Sequence, residues 1–255
     1  MEVVICADAA QAGKLAGERI ADAIRGLAAP VIGVATGSSP LAVYEDLAAR
    51  VERGDIDLSQ GMAFALDEYV GIDPAHPESY ASTIRRTVTE PLKMDPARVH
   101  VPNGSAEDLH AGAAAYDEAI RQAGGIDVQI LGIGSNGHIG FNEPASSLAS
   151  RTRVKTLTTQ TREDNARFFD SIDEVPTHCV TQGLGTIMES RMAVLVASGE
   201  HKADAIAAMV EGPVSAMCPA SVLQHHPRVV VFLDEAAASK LTLAGYFKMV
   251  AQNRI

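Results

Sequence analysis

Apolar residues gather in six short runs along the chain: Val3–Cys6, Val31–Ala35, Met62–Leu66, Val128–Leu131, Met192–Ala197 and Val229–Leu233. All but Met62–Leu66 are rich in β-branched side chains, and all are almost free of polar residues, the pattern of a strand buried on both faces. Between the runs the apolar positions change period. Leu15, Ile20, Ile24 and Leu27, then Leu41, Tyr44, Leu47 and Val51, recur as on one face of a helix. Alternating strands and helices predict an α/β fold, a mostly parallel sheet covered on both faces. In such sheets ligands bind beyond the carboxyl ends of the strands. No repeat, low-complexity tract or Pro/Gly/Ser-rich linker divides the sequence, so residues 1–255 are expected to form a single domain. Residues 144–190 interrupt the alternation with a polar stretch, Arg151-Thr-Arg-Val-Lys-Thr-Leu-Thr-Thr-Gln-Thr-Arg162. It is too long for an ordinary connection, and reads as a lid or subdomain over the site or as a β-α excursion without mobility.

Composition narrows the partners. With 47% hydrophobic residues among 255, the chain can bury a large core. Lys plus Arg number 21 against 32 Asp plus Glu, a net charge of −11. Such a surface repels nucleic acid and anionic lipid but tolerates a small anionic substrate where a few cations converge. Cys6, Cys179 and Cys218 are scattered and odd in number, as reduced thiols are. The opening Met1-Glu-Val-Val-Ile-Cys-Ala-Asp8 has no basic region and too short an apolar run for a secretory signal. No segment approaches the roughly 20 apolar residues that span a bilayer. These features predict a soluble, cytoplasmic protein. His225 and His226 are adjacent and precede a proline, and the other histidines lack partners at ligand spacing, so nothing in the sequence calls for a metal.

Three stretches carry candidate chemistry. Leu131-Gly-Ile-Gly-Ser-Asn-Gly-His-Ile-Gly-Phe-Asn-Glu-Pro144 is a glycine-rich turn leaving a strand, with an imidazole (His138) and a carboxylate (Glu143) close together. A histidine moves protons near neutral pH, and a neighbouring carboxylate fixes its tautomer. Val31-Ile-Gly-Val-Ala-Thr-Gly-Ser-Ser-Pro40 reads as strand, turn and helix start, with Ser39 at the N-cap and Pro40 at the first helical position. The N–H groups of Gly37, Ser38 and Ser39 would then suit a phosphate, although a well-capped turn with nothing bound has the same pattern. Arg167 and Lys202 are cations that could complete the grip, or ordinary surface charges. The third stretch, Ala63-Phe-Ala-Leu-Asp-Glu-Tyr-Val-Gly-Ile72, ends a buried strand in Asp67 and Glu68, which alternation sends to opposite sides. One could face a ligand as a base of raised pKa, or either could cap the next turn. Gly132-Ile-Gly-Ser-Asn-Gly137 matches a dinucleotide fingerprint, but the residues after Gly137 make a poor helix start, and Arg151-Thr-Arg153 stands where an acid is needed.

Taken together, Ala35-Thr-Gly-Ser-Ser-Pro40, Leu66-Asp-Glu-Tyr-Val-Gly71 with His76-Pro-Glu-Ser-Tyr80, and Gly132 through Lys155 resemble the glucosamine-6-phosphate deaminase family, from the first strand to about Tyr246. The resemblance implies a Rossmann-like three-layer αβα sandwich and a cofactor-free enzyme that converts glucosamine 6-phosphate and water to fructose 6-phosphate and ammonia. It implies Asp67 as the base moving a proton between C2 and C1, and His138 as the group that opens the pyranose ring. It makes Glu143 and Asn136 supports of that histidine, and Gly37, Ser38, Ser39, Arg167 and Lys202 the phosphate grip. Asn136 departs from the part of the family that has aspartate there, which leaves Glu143 as the only charge behind the imidazole. Some members are hexamers activated by N-acetylglucosamine 6-phosphate, and Ser146, Arg153, Lys155 and Tyr246 fall where those members bind it. A homo-oligomer is therefore compatible with the resemblance. Two other readings share the scaffold: a 6-phosphogluconolactonase-like hydrolase, which needs no base at C2, and a non-catalytic sugar-phosphate sensor.

Overall fold

The computed structural model describes residues 1–253. Seven strands form a parallel sheet: β1 (Glu2–Cys6), β2 (Val31–Val34), β3 (Met62–Ala65), β5 (Val99–His100), β6 (Val128–Leu131), β9 (Ala193–Ala197) and β10 (Val229–Asp234). Their order is β1-β10-β9-β6-β2-β3-β5, and every pairing between neighbours is parallel. All six apolar runs become strands, displaced at their ends by a residue at most. The two-residue β5 had no such run.

Successive side chains on these strands enter two different cores, as strand geometry requires. Ile32, Val34, Ile130, Val194 and Phe232 pack against α1 (Ala9–Ile24) and α2 (Leu41–Arg53). Leu131, Leu195, Val231 and Leu233 face the other way, against α6 (Leu184–Met188), α7 (Ala203–Val210) and α8 (Ala244–Gln252). Tyr116 and Ile120 of α4 (Leu109–Gln122) cover Val31 and Phe64 on this same side. The result is the expected αβα sandwich. Leu27, counted in the helical pattern, lies beyond the end of α1 and is exposed.

A second, antiparallel sheet stands apart from the first, with order β4-β8-β7. It joins β4 (Asp67–Tyr69), β8 (His178–Thr181) and β7 (Arg153–Thr156). The stretch 144–190 is thus a β-α excursion that supplies β7, α5 (Thr159–Asn165), β8 and α6. Asp67 and Glu68 consequently do not end β3. The chain leaves the large sheet at Leu66, whose carbonyl accepts from Gln182 N–H, and Asp67 begins a strand of the small one.

Ser39 does not cap α2. Pro40 occupies the cap position, and no side chain caps that end. The preceding loop is held instead by Tyr44, whose buried hydroxyl accepts from Ala35 N–H at 2.9 Å and donates to Ala35 C=O at 2.8 Å. Another short helix near the site, α3 (Tyr80–Ile84), packs against β4.

Candidate active site

From β2 the chain proceeds to β3 on one side, and from β6 it proceeds to β9 on the other. The strand order therefore reverses between β2 and β6, where a crevice opens at the carboxyl ends. The loops leaving both strands line a cavity of about 920 Å³ together with β4, the 160–169 segment and the turn before α7. Asp67, Asn136, His138, Gly37, Ser38, Ser39, Arg167 and Lys202 all line it. Glu143 does not; it is 2% exposed and lies behind His138.

The loop after β6 is folded for the imidazole. Gly137 N–H donates to Gly134 C=O, and Gly134 N–H donates to His138 C=O. A Cβ at Gly134 would lie 2.3 Å from His138 Cε1, so the ring lies against bare backbone. No helix follows this loop, in keeping with rejection of the dinucleotide fingerprint. Glu143 Oε2 stands 3.7 Å from His138 Nδ1, an ion-pair distance rather than a direct hydrogen bond. Asn136 joins the two residues: its amide donates to Glu143 Oε2 at 2.8 Å, and its Oδ1 accepts from His138 N–H at 3.2 Å. Thr158 donates to Glu143 Oε1 through both its amide and its hydroxyl. Burial works against the Glu143 charge, but the His138 and Thr161 side chains and the Thr158 amide outweigh it, and the carboxyl falls to about 2.

The two acids of β4 part as alternation requires. Glu68 turns away from the cavity and accepts N–H bonds from its neighbour Tyr69 and from Tyr80 and Ala81 at the first turn of α3. It supplements the N-cap of α3, Ser79, whose own hydroxyl accepts from Ser82 N–H. Asp67 faces the cavity with 5% exposure. Burial first, and then the charge of Glu68, push its carboxyl up to about 8, against the hydrogen-bonding pull of Thr181 and Phe141 N–H. Such a group is held ready to gain or lose a proton near neutrality.

At the other end, Gly37 has φ +91, a left-handed backbone that glycine adopts without strain. Gly132 passes close to Ser39: a Cβ there would lie 3.7 Å from Ser39 Cβ, so the loops after β2 and β6 touch. Arg167 sits in a turn over the Phe168 ring, and Lys202 closes the turn before α7. Burial depresses the Lys202 ammonium, Asp164 counteracts this and Arg167 adds to it, so the two cations share one field. Neither forms a salt bridge among the described residues. Cations without a salt-bridge partner beside a glycine loop suit a phosphate dianion.

The four residues assigned to an effector site do not line the cavity. Ser146 is buried with its hydroxyl unpartnered, and Arg153 donates to Asn142 Oδ1 at 2.8 Å. Lys155 is partly exposed on β7, and Tyr246 is exposed on α8. Conversely, Thr36, Tyr69, Tyr80, Arg86, Asp164 and His201 line the cavity although no pattern in the sequence assigned them a role. Among the described residues no group of three or more His, Cys, Asp or Glu is placed to hold a metal ion. No described helix is long and apolar enough to cross a membrane.

Residues 7–232 match the family described as glucosamine-6-phosphate isomerases/6-phosphogluconolactonase. A glucosamine-6-phosphate deaminase of Cutibacterium acnes is 61% identical over 254 residues, spanning 100% of this chain and 97% of that one. A solved structure described as a monomeric glucosamine-6-phosphate deaminase is 39% identical, with a TM-score of 0.91 over 94% of this chain and 100% of its own. The 6-phosphogluconolactonase of Trypanosoma cruzi shares the fold at 18% identity, with a TM-score of 0.75 over 94% of this chain and 97% of its own.

Proposed function

The chain belongs to the family of glucosamine-6-phosphate isomerases and 6-phosphogluconolactonases, and we propose that within it the protein is an isomerising deaminase. Its reaction is the conversion of glucosamine 6-phosphate and water to fructose 6-phosphate and ammonia. One observation carries the reading: a buried carboxyl near neutrality, a braced imidazole and a cationic glycine loop share one cavity. Relatives at high identity over nearly the whole chain bear the deaminase name, whereas the lactonase likeness is one of fold. A lactonase has no use for a base at C2.

In this reading the phosphate rests on Gly37, Ser38, Ser39, Arg167 and Lys202. Anchoring that end turns binding energy into orientation of C1 and C2. His138 carries a proton from the anomeric hydroxyl to the ring oxygen, breaking the C1–O5 bond and leaving an aldehyde. Asp67, ionised, removes the proton from C2; the C–H electron pair becomes the C1=C2 bond of an enolamine, and O1 takes up a proton given by the substrate ammonium. The same carboxyl returns the proton to C1, which leaves an imine at C2. Water adds at C2, ammonia departs with the nitrogen, and the ketose remains. Glu143 holds the imidazole through charge, and Asn136 holds Glu143.

A cytoplasmic place in amino-sugar breakdown is the setting this reaction implies, and unpaired thiols suit a reducing compartment. Activation by N-acetylglucosamine 6-phosphate through Ser146, Arg153, Lys155 and Tyr246 is a separate proposal. Sigmoidal rate curves made hyperbolic by that compound support it, and hyperbolic curves throughout reject it. The reading as a whole is tested by ammonia release from glucosamine 6-phosphate. Wild type is expected to release it, Asp67→Asn to release far less. Folded wild type that binds the sugar phosphate without turnover would favour the sensor instead.

A further inference from the structure

The small sheet sets Thr181 of β8 directly opposite Asp67 of β4. Residues so paired share a face and touch. Thr181 is 0% exposed, and its Oγ1 lies 3.5 Å from Asp67 Oδ2. The same oxygen accepts from Phe141 N–H at 3.0 Å and lies 3.4 Å from Gln182 C=O. The backbone closes over this pair at Gly140, where φ is +53 and a Cβ would meet Thr181 Oγ1 at 3.0 Å and Asp67 Oδ2 at 3.4 Å.

We propose that Thr181 is a positioning residue for Asp67, its hydroxyl reversing hydrogen-bond direction as the carboxyl gains and gives up the substrate proton. The inference deepens the deaminase reading and rests on it. A hydroxyl has one proton and two lone pairs. One lone pair of Thr181 is taken by Phe141 N–H, which leaves the proton and one lone pair free to serve Asp67. While Asp67 is ionised, the Thr181 O–H donates to Oδ2. Once Asp67 holds the proton from C2, its own O–H donates to Thr181, and the Thr181 proton turns to the Gln182 carbonyl. Thr181 keeps its proton throughout, and the oxygens at 3.5 Å and 3.4 Å need only close by about half an ångström to reach full hydrogen-bond length. A base that must both take and return a proton is thereby satisfied in both states, and a buried polar group left unsatisfied in either state is costly.

The other titratable groups set against Asp67 give little help. Glu68 on its own strand is a like charge, Tyr69 is its near neighbour, and Tyr80 of α3, Tyr116 of α4 and Cys179 of β8 are neutral groups whose burial opposes ionisation. His138 shares the cavity but belongs to the opposite loop. Thr181 is therefore the side-chain donor that favours the ionised base.

The test is kcat/KM against pH for wild type, Thr181→Val and Thr181→Ser with glucosamine 6-phosphate. Ionised Asp67 is the active form, so the rate rises with pH through its pKa. Removing the hydroxyl is expected to move that rise upward by about one pH unit, and so to cost about tenfold on its acid side. Thr181→Ser, which keeps the hydroxyl, is expected to stay with wild type. An unmoved rise in Thr181→Val overturns the inference, as does a Thr181→Ser rise shifted as far as that of Thr181→Val. Thermal melting shows that each variant is folded. If Thr181→Val does not fold, Thr181→Ala is compared with Thr181→Ser by the same criteria. Wild type that releases no ammonia overturns the deaminase reading and this inference with it, whereas active wild type with an unmoved rise in the variant overturns this inference alone.

Discussion

The two sheets of this molecule differ in what they are made of and in what they hold. The seven-stranded sheet is apolar on both faces and supplies, at its carboxyl edge, the loops proposed to grip phosphate and the loop that carries His138. The three-stranded sheet is short and polar and supplies the carboxyl at which carbon chemistry is proposed to occur. Stability and reactivity are thus placed in different parts of the chain. A buried acid raised toward neutrality is a local cost to folding, and the large sheet is where that cost is offset.

The sharpest way to break this division is to strike one residue in each sheet. Asp67→Asn is expected to reduce kcat by about 100- to 10,000-fold, the range for loss of a positioned acid/base. Its effect on stability has the opposite sign. A carboxyl raised to about 8 from 3.8 stabilises the fold only while protonated, and that contribution is lost as pH rises from 3.8 through 8. The asparagine variant should therefore melt no lower than wild type at pH 8 and above. Phe232→Ala, in β10 and not among the residues that line the cavity, should do the reverse. The cavity left by a buried aromatic costs about 3–5 kcal/mol of unfolding free energy, read by denaturant titration, with kcat of the folded fraction near wild type. A large kcat loss in Phe232→Ala, or a large stability loss in Asp67→Asn, would show the two roles to be mixed.

Lys202→Met probes the binding edge of the large sheet, with a smaller effect. Losing a charged hydrogen bond costs about 1.5–3 kcal/mol, roughly ten- to a hundredfold in kcat/KM. The specific expectation is that this loss vanishes when glucosamine without phosphate is the substrate, since the cation then has no anion to meet. An equal loss with both substrates would remove Lys202 from the phosphate grip.

The same contrast explains how much was legible in the residues alone. Strands buried on both faces announce themselves by composition, so β1, β2, β3, β6, β9 and β10 were foreseeable from their apolar runs. β7 reads Arg-Val-Lys-Thr and β8 His-Cys-Val-Thr, and neither pattern exceeds what a polar connection contains. β4, which pairs with β8, is three residues long and comes after β3 with one residue between, so it merged with that run. Asp67, His138 and the glycine loop were visible because their residue types are unusual at strand ends. Thr181 was not, because its role depends on a contact spanning 114 positions in the chain. The error at Ser39 has a local cause: Tyr44 fixes the loop from inside α2, which leaves the serine free of a capping duty.

Glu143 lies where the two regions meet, and it gives the smallest and most discriminating effect. Its Oε2 faces the imidazole presented by the large sheet, while its Oε1 is held by Thr158, two residues past the end of β7 in the excursion. Glu143→Gln removes the charge but keeps the shape and one acceptor for Thr158. With an amide at Asn136 there is no second carboxylate to take over. The expected loss is about tenfold in rate with the ring-closed sugar, about 1.4 kcal/mol in barrier. Because the wild-type carboxyl lies at about 2, it stays ionised across any usable assay range, and the loss should be uniform from mildly acid to alkaline pH. Stability obeys the other sign rule. A carboxyl lowered from 4.5 to about 2 stabilises the fold above 4.5 and loses that contribution as pH falls through 2. Wild type should thus exceed Glu143→Gln in stability at neutral pH, with the gap closing in acid. A rate unchanged by the substitution would free the imidazole from Glu143. A rate loss confined to one end of the pH range would mean that the carboxylate titrates during turnover instead of serving as a fixed charge.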